Sequence, residues 1–363
     1  MRTDGSELVT LLLDPLLGAF EMLIFIARHL NPPDLQDLVR LAAPAEKALQ
    51  AARMTRSPWP EDLASIGASL DAASDVALQA FAGLRAAAGG EADVRGAYRA
   101  LRLLSGGLET LYPLAGRVAA VNQFFLDAPW RSDALLQQRY LAAAHADTGV
   151  MHFGEGERGD FWLYVPEHYT PDRPWPLVMA LHGGSGNGRQ FLWTWLSAAR
   201  SCGAILASPT AQDSTWALLG PDADSPNLAR ILEFIRSRWK LDSSRLLLTG
   251  MSDGGTFTYV SGFNTNSLFT HLAPVAAAFH PMLAQMASPD RIRGLPIYII
   301  HGTLDWMFPP VLARQAHATL ARAGAAVSFC EVEDLSHTYP RELNGAILSW
   351  LQRAPMKPAT VSA

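Results

Sequence analysis

Two spacings of apolar residues divide this chain. From residue 1 to about 146, apolar positions recur at helical steps of three and four. Within residues 60–88, Leu63, Ile66, Leu70, Ala73, Ala77, Ala80 and Leu84 form one seam, and Gly89-Gly90 ends it. Asn31-Pro32 reads as the cap and first-turn proline of an earlier helix. Another begins near Asp93 with Val94, Leu101, Leu104, Leu108 and Leu111, and a break is expected at Gly106-Gly107 or Pro113 before it resumes to about Leu126. Residues 8–26 are rich in Leu, Ile and Phe, while Glu7, Asp14, Glu21 and Arg28 recur every seven residues as one narrow polar stripe. The expectation is a first helix buried on most sides, in a bundle or at a partner interface such as a homodimer. With no strand-like alternation and no repeat of fixed period, this half reads as a helical bundle or flat helical layer.

Near Thr148 the period changes. Gly149–Phe153 and Phe161–Val165 alternate like strands across the polar turn Gly154-Glu155-Gly156-Glu157. Buried-strand runs follow at Leu177–Leu181, Ala204–Ser208, Arg245–Thr249, Leu272–Phe279, Pro296–Ile300 and Val327–Val332. Helical stretches lie between them, notably Leu228–Trp239, Val311–Ala323 and Arg341–Leu351. Strands alternating with helices predict an α/β fold, a mostly parallel sheet with helices on both faces, preceded by an all-α domain. The expected boundaries are 1–146 for the helical domain, 147–354 for the α/β domain and 355–363 for a flexible tail.

Composition narrows the function classes. The chain has 363 residues, 49% of them hydrophobic and 17% charged, enough to bury a sizeable core rather than stay disordered. Its formal net charge of −5, with no run of Lys and Arg, gives no basic stripe, so no nucleic-acid partner is expected. Two cysteines, Cys202 and Cys330, lack metal-ligand spacing and read as buried thiols. The acidic start does not resemble a secretory signal. A membrane span would place Asp14 and Glu21 in hydrocarbon at about 2.5–3.5 kcal/mol per charge near its centre. The chain therefore reads as cytoplasmic, with no membrane span. There is no H-E-x-x-H and no P-loop, and the ten histidines are scattered, so neither metal nor cofactor is expected.

Gly250-Met251-Ser252-Asp253-Gly254 is the single G-x-S-x-G in the chain. It follows the strand run Arg245–Thr249 and precedes a helical stretch from Gly255 to Ser261, the strand–turn–helix setting in which a serine hydroxyl is presented as a nucleophile. Such a serine needs a base, and the base needs a carboxylate that holds its tautomer. Downstream, Pro296–Ile300 runs into His301-Gly302-Thr303-Leu304-Asp305, placing Asp305 beyond the carboxyl end of a strand. The loop Ser336-His337-Thr338-Tyr339-Pro340 follows the next strand and supplies His337. Asp334, in the histidine's own loop, and Asp290, in a charged loop, are weaker candidates for the acid. Two N–H donors must meet the oxyanion. Asp253 supplies one at a helix N-terminus. The other is expected from Leu181-His182-Gly183-Gly184-Ser185-Gly186-Asn187-Gly188, from Gly184 first and Ser185 second. Arg189 stands where a dinucleotide fingerprint counted from Gly184 needs glycine.

Taken together, His182-Gly183-Gly184, the Ser252 elbow, His301-Gly302-x-x-Asp305 and His337 resemble the α/β-hydrolase superfamily. They are most similar to its bacterial phospholipase/carboxylesterase and feruloyl-esterase-like branch, with polyhydroxyalkanoate-depolymerase relatives. The resemblance covers about residues 147–353. It implies a Ser252–His337–Asp305 triad, metal-independent chemistry and a small-molecule carboxylic ester as substrate. It does not reach residues 1–146.

Tryptophans and phenylalanine expected in loops at the strand ends, namely Trp193, Trp195, Trp216, Trp306 and Phe308, read as an apolar wall for an acyl or aryl group, or as packing between loops. His280 is a further pocket candidate. The lean is to aryl or short-to-medium acyl esters. Two rivals stay open: a serine peptidase or amidase on the same scaffold, and a helical oligomerisation or partner-binding module with the hydrolase secondary.

Overall fold

The computed structural model describes residues 5–89, 93–142, 147–156 and 158–353. The expected tail at 355–363 lies outside them, as do Gly90 and Glu157. Contacts divide the chain into two compact units between residues 142 and 143.

The first unit is all helix among the described residues, with α1 (Gly5–His29), α2 (Leu35–Thr55), α3 (Ala64–Ala88), α4 (Val94–Leu111), α5 (Ala119–Phe124) and α6 (Ala134–Ala142). α1 packs on α2, α3 and α4, and α3 with α4 is the most extensively packed pair. Leu12, Leu16, Phe20, Leu23 and Ile26 of α1 are fully buried, each side chain contributing about 1.5–3 kcal/mol on leaving water. The acids Glu7, Asp14 and Glu21 do share an exposed stripe. Arg28 departs from it and is buried, while Leu11 and Phe25 stand on the exposed side at 55% and 39% exposure. By length and composition α1 is also apolar enough to cross a membrane.

α4 runs unbroken through Gly106-Gly107 and ends at Leu111, so of the two expected break points the structure has the one at Pro113, within the 3-10 turn Tyr112–Leu114. Phe20 lies 2.6 Å from where a Cβ on Gly107 would stand, so this glycine serves close helix packing rather than termination. Asp93 caps α4 by accepting from the Gly96 N–H at 2.8 Å. Three polar links complete the unit. Arg85 pairs with Glu46, Arg131 reaches Glu21 at 2.7 Å, and Asp71 accepts from Arg53, Arg56 and Trp59.

The second unit carries one eight-stranded sheet in the order β1-β2-β4-β3-β5-β6-β7-β8. Its elements in chain order are β1 (Gly149–Phe153), β2 (Phe161–Val165), β3 (Trp175–Leu181), α7 (Gly188–Cys202), β4 (Ile205–Pro209), α8 (Asp224–Arg236), β5 (Leu241–Met251) and α9 (Asp253–Phe263). There follow β6 (His271–Val275), the short α10 (Met282–Met286) and α11 (Pro289–Ile292), β7 (Pro296–Gly302), α12 (Val311–Arg322), β8 (Ala326–Val332) and α13 (Asn344–Arg353). β1 and β2 are antiparallel to their neighbours, and every pairing from β4 to β8 is parallel. The central strands are buried apolar runs, as a sheet covered on both faces requires. Strand order, parallel core and the sharp β5–α9 turn make this the α/β-hydrolase fold.

Three sequence expectations fail locally. The run Leu272–Phe279 was read as one strand, but β6 ends at Val275 because Ala276 turns to φ 47° and its N–H leaves for the Ile300 carbonyl. Trp193 and Trp195, expected in a rim loop, belong to α7 and are buried at 3% and 0% exposure. Neither cysteine forms a disulfide, and both are half-buried rather than buried.

Candidate active site

β5 lies in the middle of the sheet, and its carboxyl end delivers Ser252 into a turn of one residue. Ser252 sits at φ 56°, ψ −118°, a conformation that costs an L-residue on the order of 1–3 kcal/mol. Its N–H donates to the Val275 carbonyl of the adjacent strand at 3.0 Å, which holds the strained residue in place. The turn closes only over small neighbours. A Cβ on Gly250 would stand 2.5 Å from the Gly254 carbonyl oxygen, and one on Gly254 would collide with the His182 and Leu181 carbonyls. α9 starts immediately afterwards, so the serine stands at a helix N-terminus whose dipole favours developing negative charge.

Three side chains converge there from separate loops. The Ser252 hydroxyl donates to His337 Nε2 at 3.0 Å. The His337 Nδ1–H faces both Asp305 oxygens, at 3.0 Å to Oδ1 and 2.9 Å to Oδ2. All three residues are buried, at 8%, 4% and 5% exposure. Asp305 Oδ1 also accepts from the N–H groups of Met307 at 3.0 Å and Phe308 at 2.8 Å, so the acid organises its own loop. Acid loop and histidine loop are tied by the Leu304 N–H to the Leu335 carbonyl at 3.0 Å and by the Thr303 hydroxyl to the Glu333 carbonyl. Beyond His337, the Tyr339 hydroxyl donates to Asn344 at 2.8 Å, and burial pushes that phenol well above its ordinary range.

His301 was legible only as part of the motif carrying Asp305. Its ring is fully buried, donates from Nε2 to the Phe308 carbonyl at 2.7 Å, and lies 3.4 Å from Asp305 Oδ2. It therefore braces the acid loop from below. Of the three candidate acids, Asp305 is the one that accepts from His337 Nδ1.

On the donor side, Ser185 is ruled out as second choice because its N–H already donates to the Ser214 carbonyl at 3.2 Å. Gly184 is exposed beside the elbow, and a Cβ on the preceding Gly183 would lie 3.6 Å from Ser252 Cβ. Among the described residues, neither the Gly184 nor the Asp253 N–H meets a backbone acceptor. The loop is held from outside. The His182 ring accepts from the Ala211 N–H through Nε2 at 3.1 Å, which fixes its tautomer so that Nδ1–H donates to the Gly183 carbonyl at 2.7 Å.

Trp216, expected in an exposed substrate wall, is instead core. It is 2% exposed, its ring stacks on Phe257 at 5.5 Å, and its Nε1–H donates to the His182 carbonyl at 2.7 Å. A loop indole whose N–H finds a buried carbonyl is pulled inward, and this one struts the glycine loop from beneath. Asp224 completes the brace by accepting from the N–H groups of Gln212 and Ala217, both at 2.8 Å. Burial raises its carboxyl above the usual range. Nothing in the spacing around Asp224 announced this role.

The other wall candidates separate. Trp306 is 49% exposed with its ring 6.4 Å from that of His337, and Phe308 meets His337 edge-on at 5.3 Å. His280 is exposed on the loop after β6, and its ring accepts the Met282 N–H at 3.2 Å, a local turn contact. Among the described residues no group of three His, Cys, Asp or Glu side chains is placed to hold a metal ion.

No family model matches the chain. A bifunctional acetylxylan esterase/xylanase of Neocallimastix patriciarum is 29% identical over 157 residues, which are 42% of this chain and 22% of that protein. A probable feruloyl esterase C of Aspergillus oryzae is 25% identical over 179 residues, 47% of this chain and 63% of that protein. The chain thus spans less than two thirds of the length of either relative. A solved thermostable esterase superposes with a TM-score of 0.47 at 22% identity, covering 57% of this chain and 63% of that one. The similarity to esterases agrees with the α/β-hydrolase resemblance carried by the motifs.

Proposed function

We propose that the α/β unit is a carboxylic ester hydrolase acting through an acyl-enzyme on Ser252. One observation carries the reading: a strained serine donates to His337 at 3.0 Å while His337 donates to Asp305 at 2.9 Å, at the carboxyl edge of the sheet. In the first half-reaction His337 Nε2 takes the Ser252 proton as the hydroxyl oxygen attacks the ester carbonyl. The tetrahedral oxyanion is met by the Gly184 and Asp253 N–H groups. As it collapses, the C–O bond to the alcohol breaks and His337 returns the proton to the leaving oxygen. A water, deprotonated by His337, then attacks the acyl carbonyl and releases the acid and free Ser252. Asp305 keeps the imidazole in the tautomer with Nδ1–H and stabilises the imidazolium that forms twice per cycle.

The exposed face of Trp306 beside the half-buried Phe308 favours an apolar group next to the reacting carbon. We therefore assign the site to neutral esters with an aryl or short-to-medium acyl group; a cytoplasmic setting is proposed separately, from the sequence pattern alone. The similarity to acetylxylan and feruloyl esterases supports ester over amide bonds. The test is a p-nitrophenyl ester series from acetate to palmitate, run with wild type and Ser252→Ala. Turnover that disappears in the variant supports the proposal, and full turnover by the variant refutes it.

A further inference from the structure

The two oxyanion donors stand on different segments, and one of them belongs to no helix or strand. The Asp253 N–H is fixed by the first turn of α9, whereas Gly184 lies in an exposed glycine-rich loop. Rate acceleration from such donors requires that they hold their spacing before the charge develops. Something must keep the loop in register with the elbow.

The side chain of Asp253 meets that need. Its Oδ2 accepts from the Thr215 hydroxyl at 2.6 Å, across 38 residues of sequence. The same oxygen lies 2.7 Å from where a Cβ on Gly184 would be, with Thr215 Oγ1 at 4.0 Å. The Gly184 backbone therefore rests directly on the bonded Asp–Thr pair, and glycine is required there because any side chain would displace the carboxylate. Thr215 is itself immobilised. Ser214 next to it accepts the Ser185 N–H at 3.2 Å, Trp216 on its other side donates to the His182 carbonyl at 2.7 Å, and Asp224 grips the arch at Gln212 and Ala217.

We infer that the Thr215–Asp253 hydrogen bond is the positioning device that sets the spacing between the two oxyanion donors. This rests on the esterase reading for its substrate but not for its geometry. Thr215 touches no reacting atom; it acts through Asp253 and Gly184. The bond also gives the carboxylate a donor of its own. Without it, a bare negative charge beside the oxyanion site is free to turn toward the developing oxyanion, and repulsion there raises the barrier.

The test uses full-length protein and two readouts, ester hydrolysis and the second-order rate at which a fluorophosphonate labels Ser252. The phosphonate oxygen needs the same two donors, so labelling reads the hole without knowledge of the substrate. Thr215→Val keeps the shape and removes the hydroxyl. It is expected to lower both kcat and the labelling rate by about tenfold, the scale of one charge-assisted hydrogen bond, with KM within about twofold. Thr215→Ser restores the donor and is expected to recover most of the rate. In the Asp253→Ala background, Thr215→Val is expected to add nothing further. Wild-type rates in Thr215→Val, or a Thr215→Ser variant as impaired as the valine, overturn the inference. So does full additivity of the two substitutions. If wild type labels at Ser252 but hydrolyses no ester, the substrate reading fails while the labelling rates still decide the role of Thr215. If wild type does not label at all, both fail.

Discussion

Asp305→Asn isolates what the acid does, because the substitution keeps its shape and most of its contacts. Asp305 Oδ1 accepts two backbone N–H groups, from Met307 at 3.0 Å and Phe308 at 2.8 Å. The asparagine oxygen must keep those, since turning the amide over would face its NH2 against two N–H donors at a cost of about 1–3 kcal/mol for each group left unpaired. The amide nitrogen then occupies the Oδ2 position, 2.9 Å from His337 Nδ1. Oδ1, 3.0 Å from Nδ1, already serves two N–H groups, while a bare Nδ1 accepts the amide N–H at the nearer position, so the imidazole shifts to the tautomer with Nδ1 bare and Nε2 protonated. His337 Nε2 then has no lone pair for the Ser252 proton. An orienting acid lost in this way, with geometry intact, lowers kcat by about 10⁴-fold, or roughly 5.5 kcal/mol in the barrier. The assay is steady-state hydrolysis of a p-nitrophenyl ester near pH 7, with thermal unfolding to confirm that the acid loop remains in place. A variant within tenfold of wild type in kcat, with an unchanged unfolding midpoint, would refute the reasoning.

Other predictions concern parts of the α/β unit away from proton transfer. His271, 1% exposed at the start of β6 and packed edge-on against Trp350, has its pKa lowered to about 4, by burial first and the Arg245 charge second. The unfolded chain takes up this proton near pH 6.5 and the folded one does not, so stability is full above pH 6.5 and falls by about 3 kcal/mol as pH drops toward 4. Urea unfolding at pH 7 and pH 4.5 checks this, and His271→Phe should flatten the difference between them. Trp216→Phe keeps the stacking and leaves the buried His182 carbonyl without its indole donor, so stability should fall by about 1–3 kcal/mol, read by denaturant midpoint, with no change in acyl-chain preference. Trp306→Ala should do the reverse, raising KM severalfold for aryl or longer acyl esters while the unfolding midpoint stays put. Equal effects of these two tryptophans on KM would contradict the placement of one in the core and one at the rim.

The sequence exposed some elements and hid others for identifiable reasons. The antiparallel pair β1 and β2 is legible to the residue as two short runs, Gly149–Phe153 and Phe161–Val165, set off by the polar turn between them, although their burial in the structure does not alternate. Helix α7 is hidden because Trp193 and Trp195 read as loop aromatics. Its cap was there to be seen: Asn187, whose side chain accepts the Gln190 N–H at 2.9 Å, followed by Phe191, Trp195 and Ala199 at steps of four. The overrun of β6 has another cause, since Ala276, Ala277 and Phe279 remain buried after the strand has ended, and apolarity cannot distinguish a strand from a buried turn. Ser252, His337 and Asp305, which the structure brings together, are legible from the G-x-S-x-G string, the motif set around it, chain order and strand-end placement. The brace formed by Thr215, Trp216 and Asp224 was not, because it consists of hydrogen bonds between distant segments that leave no periodic trace.

The account stands on Ser252 being the nucleophile, and covalent capture tests this most directly. Full-length protein is treated with a fluorophosphonate, and the adduct is located by intact-mass measurement and peptide mapping, with Ser252→Ala and His337→Ala alongside. The account predicts one adduct per chain, on the peptide containing Gly250–Gly254, absent from the serine variant and slowed by orders of magnitude in the histidine variant. An adduct on another residue, or labelling that survives Ser252→Ala, would contradict it.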